Sequence, residues 1–213
     1  MKNILAVGAH PDDVEFGCAG TLAKHVHDGD KVTIVHMTCS DSMNIYHEIV
    51  DTKETRRSEA ETAAKIIGAD LIILDFLDQL VPFDRESIFA IERLIKELNI
   101  DTIFSHWSGD SHQDHINTLK VVFAAGRYVD SIFLFEQVPY PRVGKIFSEV
   151  NYYVDVSDYY HFKEKSLIAH ESQVVGRYAN KILTGMRSLA EFRGSQCNCT
   201  YAEAFEAVKQ IIR

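Results

Sequence analysis

Short apolar segments alternate with amphipathic helical segments along the first two thirds of the chain, and this alternation restricts the fold more than any other feature. Five apolar segments have the length of buried strands, at residues 3–7, 31–37, 71–76, 102–105 and 131–135. Between them lie segments with a helical spacing of apolar residues, at 15–27, 55–67, 85–98 and 115–128. Strands that alternate with helices of this length are typical of βαβ units. We therefore predict an α/β fold with a mainly parallel sheet and helices on both faces.

The last third of the 213-residue chain has a different pattern. One more strand is predicted at residues 152–156, followed by helices at 161–177 and 180–190 and a closing helix at 202–212. Neither a repeat nor a clear linker interrupts the chain, and α/β domains of this length are common. We expect a single domain over residues 1–213.

The charge balance restricts the class of partner. The formal net charge is -9 and the sequence pI is about 5.5. Binding to a polyanion requires a basic patch, so this charge argues against a nucleic acid such as DNA or RNA as the main partner. No segment approaches the roughly 20 apolar residues of a membrane span, and the N-terminal apolar run ends at His10, too early for a signal peptide. These features predict a cytoplasmic protein without a membrane span.

The cysteines Cys18, Cys39, Cys197 and Cys199 are too few for a dense disulfide framework. Cys197 and Cys199 form a C-x-C pair, which could bind a metal or act in redox chemistry. Because no second pair lies nearby, the sequence favours two reduced thiols in a loop or strand.

Polar side chains follow two of the predicted strands. The first cluster is residues 10–15, H-P-D-D-V-E, and the second is residues 106–115, H-W-S-G-D-S-H-Q-D-H. Ligands bind at the carboxyl ends of the strands in open parallel sheets, and the first and fourth strands are neighbours in the common doubly wound order. The two clusters are therefore predicted to meet in space.

These clusters contain the residue types of a catalytic zinc site. Imidazole nitrogen and carboxylate oxygen bind zinc, and a catalytic ion usually keeps a position for water beside three protein ligands. His10 and Asp13 are close enough in sequence to bind one ion, and His112 and His115 lie on one face of a helix start. Asp12 could then act as a general base, while a histidine that faces the reacting carbonyl could stabilise an oxyanion or protonate a leaving amine. In such a catalytic site, Asp114 could fix the tautomer of His112 through the far ring nitrogen.

Taken alone, each cluster is weaker evidence for a metal site. The H-P-D-D segment alone is equally typical of a helix N-cap, because Asp accepts hydrogen bonds from free backbone N–H groups at a helix start. Together, however, the clusters concentrate histidines and carboxylates at one predicted sheet edge, and this favours a metal site.

Residues 8–23, G-A-H-P-D-D-V-E-F-G-C-A-G-T-L-A, resemble the opening motif of the LmbE/PIG-L family of zinc-dependent N-acetylglucosaminyl deacetylases. Residues 112–115, H-Q-D-H, resemble the second motif of that family. Further similarities are the pair Arg56 and Glu59 before an Ala-rich helix and the tail segments 170–173, 192–194 and 201–205. The resemblance covers most of the chain in the same order.

The resemblance implies a Rossmann-like fold, a homo-oligomer and a role for each motif residue, although no G-x-G-x-x-G fingerprint follows the first strand. The implied zinc ligands are His10, Asp13 and His115. The implied catalytic residues are Asp12 as base, His112 as oxyanion stabiliser or acid, and Asp114 as the partner of His112. Val14 stands where many members have Glu, a form that resembles a bacterial subgroup with the deacetylases of bacillithiol synthesis. A His/His/Asp site would also accept Fe²⁺.

Two further residues are candidates for substrate contacts. Arg56 can bind a carboxylate or phosphate bidentately, although a solvated helix position would also explain it. Asp110 could hydrogen-bond a sugar hydroxyl, and Trp107 could stack on a sugar or pack in the core. Residues 40–53 are predicted to form an irregular loop that could cover the substrate. The remaining polar candidates are expected to be structural: Glu15, His25, His27, His36, His47, His106, His161 and His170.

These observations predict a zinc-dependent hydrolase that removes an acetyl group from an N-acetylated amino sugar or a related small N-acyl compound. The alternative is a non-catalytic metal- or sugar-binding module on the same fold. Asp12 and His112 argue against that alternative, because binding alone requires neither a base nor an acid. A phosphoester hydrolase is a third hypothesis, but such sites often use two metals and the clusters supply ligands for one.

Overall fold

The computed structural model describes residues 1–46, 48–137, 149–177 and 181–212. The strands in these ranges are β1 (Asn3–Gly8), β2 (Lys31–Thr38), β3 (Ser42–Met43), β4 (Ile49–Asp51), β5 (Asp70–Phe76), β6 (Thr102–His106), β7 (Ser131–Phe135), β8 (Tyr152–Asp155) and β9 (Ala202–Gln210). The helices are α1 (Asp13–His27), α2 (Lys53–Ile67), α3 (Arg85–Glu97), α4 (Gln113–Ala125), α5 (Tyr160–Ile168) and α6 (Lys181–Cys197), with a π-helical segment at Ser172–Arg177.

A seven-stranded sheet with the order β5-β2-β1-β6-β7-β9-β8 forms the centre of the molecule. The strands from β5 to β7 pair in parallel, while β9 is antiparallel to both of its neighbours. The predicted α/β class with a mainly parallel sheet is therefore confirmed. The first and fourth predicted strands, β1 and β6, are neighbours, with Ala6 opposite Phe104. This pairing brings the carboxyl ends of β1 and β6 together.

Apolar cores on the two faces of the sheet hold the helices in place. Successive side chains of a strand point to opposite faces. Ile4 and Ala6 of β1 belong to the core that includes residues of α1 and α2, whereas Leu5 and Val7 belong to the core with α3 and α4. All four are fully buried, and burial of a Leu, Ile or Val side chain contributes about 1.5–3 kcal/mol. A one-residue slip of β1 would exchange the two faces, so this packing fixes the register.

Helix α1 packs closely against the carboxyl end of β7. An added Cβ at Gly17 would lie 2.2 Å from Cδ2 of Phe135. Only glycine permits this approach, because the aromatic ring occupies the space of a side chain. The first turn of α1, which begins at Asp13, is thereby brought near the residues that follow β7.

The closing helix predicted at residues 202–212 is wrong, because Ala202–Gln210 form strand β9. Its Ala and Glu residues favour a helix, but this intrinsic preference is weak and tertiary contacts override it. Phe205 lies opposite both Phe135 of β7 and Tyr152 of β8 and is fully buried. Pairing with two strands and burial of an aromatic side chain therefore determine the conformation.

Other segments differ from prediction in smaller ways. The predicted helix at residues 161–177 is divided into α5 and the π-helical segment, with His170 between them. Helix α6 continues to Cys197, whereas residue 180, where it was predicted to begin, lies outside the described residues. The predicted irregular loop at 40–53 contains the antiparallel hairpin of β3 and β4.

None of the helices in the described ranges combines the length and apolar character needed to cross a bilayer.

Candidate metal and catalytic site

The H-P-D-D segment forms the turn from β1 into α1. Asp12 precedes the helix with a φ of 104°, and its side chain makes no capping hydrogen bond. Such a conformation is uncommon for a residue other than glycine, costs about 1–3 kcal/mol and tends to occur at functional sites. The simpler interpretation of Asp12 as an N-cap side chain is therefore not supported. The side chain of Asp13, by contrast, stabilises the turn, because its Oδ2 accepts a hydrogen bond of 2.7 Å from the His10 backbone N–H.

The second cluster forms the turn from β6 into α4. His112 is the N-cap residue of α4, and Asp114 and His115 lie in its first turn. The imidazole ring of His10 lies 4.9 Å from that of His112 and 5.3 Å from that of His115, measured between centroids. The two clusters therefore meet at the carboxyl end of the sheet, as the sequence predicted.

Several combinations of these side chains could hold a cation. Ligand atoms lie within 4.8 Å of one another in two sets that share His115: His10, His112 and His115, and Asp13, His106 and His115. The predicted ligands are also adjacent, because Asp13 Oδ2 lies 3.3 Å from His10 Nδ1 and Asp13 Oδ1 lies 3.3 Å from His115 Nε2. Imidazole and carboxylate donors at this spacing fit a divalent cation such as zinc.

Carboxylates outside this group orient the two histidines. Asp110 Oδ2 lies 2.9 Å from His115 Nδ1, and Asp114 Oδ2 lies 3.0 Å from His10 Nε2. Each contact leaves the other ring nitrogen directed toward Asp13, the arrangement usual for histidines that bind a metal. Burial lowers the pKa of His115, but Asp13 and Asp110 outweigh that effect and raise it to about 9. The surroundings therefore favour positive charge at this position.

The structure places Asp110 and Asp114 differently from the predicted contacts. Asp110 was predicted to bind a sugar hydroxyl, but its Oδ1 accepts a hydrogen bond from the His112 backbone N–H and its Oδ2 contacts His115. Both oxygens are thus engaged within the cluster, which favours a positioning role. The Asp114 carboxylate was expected at His112, but it contacts His10 and accepts hydrogen bonds from the backbone N–H groups of Gln79 and Val81.

The tautomer of His112 is set by a backbone group. The Asp114 backbone N–H donates to His112 Nδ1 at 3.2 Å, so the proton of a neutral ring is assigned to Nε2. Burial and the nearby imidazoles of His10 and His115 lower the pKa of His112. His112 is therefore a neutral donor through Nε2–H, and its side chain is only half-buried.

Asp12 lies beside this group with an altered proton affinity. Burial, together with the negative charge of Asp13, raises the pKa of Asp12 to about 7. A carboxylate that exchanges protons near neutral pH is suited to general base catalysis.

Three residues at the site were missed by the sequence predictions or treated as structural. His106, the last residue of β6, accepts a hydrogen bond of 2.9 Å from the Ala9 backbone N–H through Nε2, which occupies the lone pair of that atom. Gln137, just after β7, donates to Asp13 Oδ1 at 2.5 Å. Asp78, in the segment after β5, lies 3.0 Å from His10 Nε2. Their common signal is a polar residue at or just beyond the carboxyl end of a parallel strand.

The side chains of Arg56 and Trp107 are both buried. Arg56 is 5% exposed, donates to the Ser40 carbonyl at 3.1 Å and lies 3.6 Å from Asp78 Oδ2. Its charge is thus partly neutralised by Asp78, so a role as an anion receptor remains a prediction. Trp107 is 4% exposed, and its ring occupies the space beside Gly109, which supports the core-packing alternative.

Behind Asp12 lies a buried polar group that was predicted to be structural. Glu15, His36 and His170 are fully buried, and Glu15 Oε1 lies 3.6 Å from His170 Nε2. Two other histidines have partners outside the site: His25 pairs with Asp30 at 2.8 Å, and the ring of His161 lies tilted against that of Phe162. His47 lies outside the described residues.

Comparison with known proteins identifies the family. Residues 5–126 match the sequence profile of the family described as "PIG-L: GlcNAc-PI de-N-acetylase", a span of more than half of the chain. The chain belongs to this family. The resemblance recognised in the two motifs is therefore confirmed, and both motifs fall within the matched residues.

Two relatives are described as deacetylases. The chain is 33% identical over 142 residues to "Uncharacterized deacetylase YaiS" of Escherichia coli K12, covering 63% of this chain and 74% of that protein. It is 27% identical over 228 aligned positions to "Diacetylchitobiose deacetylase" of Thermococcus kodakarensis, covering 99% of this chain and 85% of that protein.

A similar solved structure has a different activity in its description. The crystal structure of a 4-carboxy-2-hydroxymuconate hydratase from Pseudomonas putida superposes with a TM-score of 0.83 at 20% identity, covering 100% of this chain and 98% of that one. This likeness shows the shared fold alone. The reaction must therefore be argued from the site and from the family.

Proposed function

We propose that the chain is a metal-dependent N-deacetylase that removes the acetyl group from an N-acetylated amino sugar or a related small N-acyl compound. One observation carries this proposal. Asp12 and His112 lie at the same cluster of His and Asp side chains, and His112 presents a neutral Nε2–H there. Membership of a de-N-acetylase family and two relatives described as deacetylases support the same reaction.

We propose His10, Asp13 and His115 as the metal ligands, with zinc as the resident ion and Fe²⁺ as an acceptable substitute. Asp110 and Asp114 support this set because they contact the outer ring nitrogens of His115 and His10. When bound, the cation would polarise an acetamide carbonyl and lower the pKa of water beside it.

The residues of the chain supply the proton transfers. Asp12 accepts a proton from the attacking water as the water oxygen bonds to the acetamide carbon. His112 donates a hydrogen bond through Nε2–H to the carbonyl oxygen as negative charge develops there. The C–N bond then breaks, and the proton held by Asp12 passes to the leaving nitrogen. The products are acetate and a free amine, and Asp12 is again a carboxylate.

Release of acetate tests the proposed reaction. Protein loaded with zinc is expected to release acetate from N-acetylglucosamine glycosides in equal amounts with free amine, and protein treated with a chelator is expected to lose this activity. Both products should be measured, because a hydratase would consume its substrate without releasing acetate. A metal-binding module without catalytic activity would bind zinc and release neither product.

Replacement of His112 tests the oxyanion contact. We expect His112→Ala to lower kcat by about 10²–10³-fold, the usual effect of removing one preorganised donor to an oxyanion. His112→Gln keeps an N–H donor and should recover part of the loss. Ser111→Ala, at an exposed neighbouring position, is the control and should retain the kcat of the parent protein. Equal activity of His112→Ala and the parent would contradict the assigned role.

The remaining predictions concern the whole protein. We propose a single domain over residues 1–213, a homo-oligomer and a cytoplasmic location, with a small amino-sugar compound as the substrate. The net charge of -9 supports the absence of a nucleic acid partner. Size-exclusion chromatography with light scattering would determine the number of subunits.

A further inference from the structure

A wide cleft adjoins the candidate catalytic site. It has a volume of about 1110 Å³ and lies between the β3–β4 hairpin and residues 77–80. Asp78 lines this cleft and contacts His10 Nε2 at 3.0 Å. Gln79 also lines it, and its backbone N–H donates to Asp114 at 2.7 Å. The cleft and the candidate site therefore adjoin at these two residues.

Large aliphatic side chains line the cleft and remain exposed. Met43 and Ile45 of the hairpin are 49% and 86% exposed, and Leu77 and Leu80 on the other side are 63% and 67% exposed. Single exposed apolar residues are common, but a contiguous group around a concavity is typical of a binding site. Because these side chains are aliphatic, they favour a hydrocarbon group.

The charge of the lining disfavours an anionic ligand. Among the described residues that line the cleft, the charged side chains are Asp41 and Asp78, and both are acidic. Arg56 lies 3.6 Å from Asp78 Oδ2, but it is 5% exposed and is not among the described residues that line the cleft. A carboxylate or phosphate in the cleft would lose hydration and meet like charge, and none of the described lining residues has a cationic side chain to offset this.

We infer that the cleft binds the group attached to the N-acetylated sugar, and that this group is neutral and apolar, such as an alkyl chain. The inference rests on the proposed deacetylase function. The cleft volume of about 1110 Å³ supports the inference, because pockets of about 300–1,000 Å³ already bury ligands of drug size. An N-acetylated monosaccharide would leave most of this space and all four aliphatic side chains exposed to water.

Three glycosides of N-acetylglucosamine test this inference with the zinc-loaded protein: the methyl, hexyl and malate glycosides. Burial of one CH₂ group corresponds to roughly a fourfold gain in affinity. The hexyl glycoside has five more CH₂ groups than the methyl glycoside, and partial burial in an open cleft is expected to raise kcat/KM by at least about tenfold. The malate glycoside is expected to be a poorer substrate than the hexyl glycoside.

Variants locate the apolar contact. Ile45→Asn and Leu80→Asn change exposed side chains on opposite sides of the cleft, and each is expected to reduce the hexyl-to-methyl ratio of kcat/KM at least about threefold. Ile168→Asn is the matched control, because Ile168 is a 47% exposed residue at the end of α5, outside the lining of the cleft. This control is expected to keep the parent ratio.

The outcomes separate the inference from the proposed function. Acetate release at the same kcat/KM from the methyl and hexyl glycosides would overturn the inference and leave the deacetylase proposal intact. A malate glycoside that exceeds the hexyl glycoside would overturn it as well, as would an unchanged ratio in both cleft variants. If light scattering showed an oligomeric parent and monomeric cleft variants, the aliphatic side chains would form an interface with a second copy of the chain, and the inference would be overturned. No release from any glycoside would instead reject the proposed function.

Discussion

Asp12→Asn is expected to lower the rate of acetate release by about 10²–10⁴-fold, the usual contribution of a general base, while bound zinc is unchanged. Asparagine has nearly the same shape but cannot accept the proton of the attacking water. It also tolerates positive φ better than most residues, so the turn at φ 104° is retained. The unfolding midpoint is therefore expected to change by less than about 2 °C. Steady-state kinetics, metal analysis and thermal unfolding of one preparation measure all three quantities.

The opposite end of the same helix provides the control. Asp28 is the exposed C-cap residue of α1, and Asp28→Asn removes the same charge far from the site. This variant should retain the parent rate. If Asp12→Asn lost its zinc, Asp12 would have to be a ligand rather than a base. If it retained full activity, the base would have to be another group.

Loss of metal is the second large effect, and it is expected for His10→Ala and His115→Ala. Each change removes one of three proposed ligands, so a protein dialysed against metal-free buffer should retain little zinc. Asp110→Asn should give an intermediate result, because loss of a partner that orients a ligand typically weakens metal binding by about 10–100-fold. Asp110 Oδ2 lies 2.9 Å from His115 Nδ1. The three variants together therefore test both the proposed metal ligands and a residue that orients one of them.

His27→Ala is the control for this series, because His27 is exposed at the end of α1. Metal content should be determined by mass spectrometry on samples whose circular dichroism matches that of the parent protein. A metal-to-protein ratio near one in His115→Ala would show that the ligand assignment is incorrect. A ratio near two in the parent would revive the two-metal phosphoester hypothesis.

The fold was predictable where residue pattern and environment agree. The inner parallel strands and β7 are buried, so they are continuous apolar runs, and β1 and β6 were recognised on that basis. Strand β9 was not recognised, because Ala and Glu predominate in it and its pairing partners, β7 and β8, lie 47 or more residues earlier in the chain. A contact over that distance leaves no local pattern. The division of the helix near His170 was also missed, and there the backbone N–H of Ser172 donates to Glu59, 113 residues earlier in the chain.

The site was predictable where its residues share one turn. His10, Asp12 and Asp13 follow a strand, and the H-x-D-H motif follows another, so spacing alone brought them into one hypothesis. Asp78 and Gln137 follow other strands, and their contacts with His10 and Asp13 depend on the strand order and on the approach of α1 to Phe135. The Asp114 backbone N–H that sets the His112 tautomer is invisible in a sequence, because every residue except proline carries that group.

The late position of β9 also affects how the chain folds as it is made. Strands β7 and β8 have both been synthesised at Asp155, but the strand that joins them ends at Gln210. At about 5–20 residues per second, the edges of β7 and β8 that β9 pairs with stay unpaired for roughly 3–11 seconds. Such edges readily pair with other chains. Chaperones that shield exposed strands therefore have several seconds in which to act before the sheet is complete.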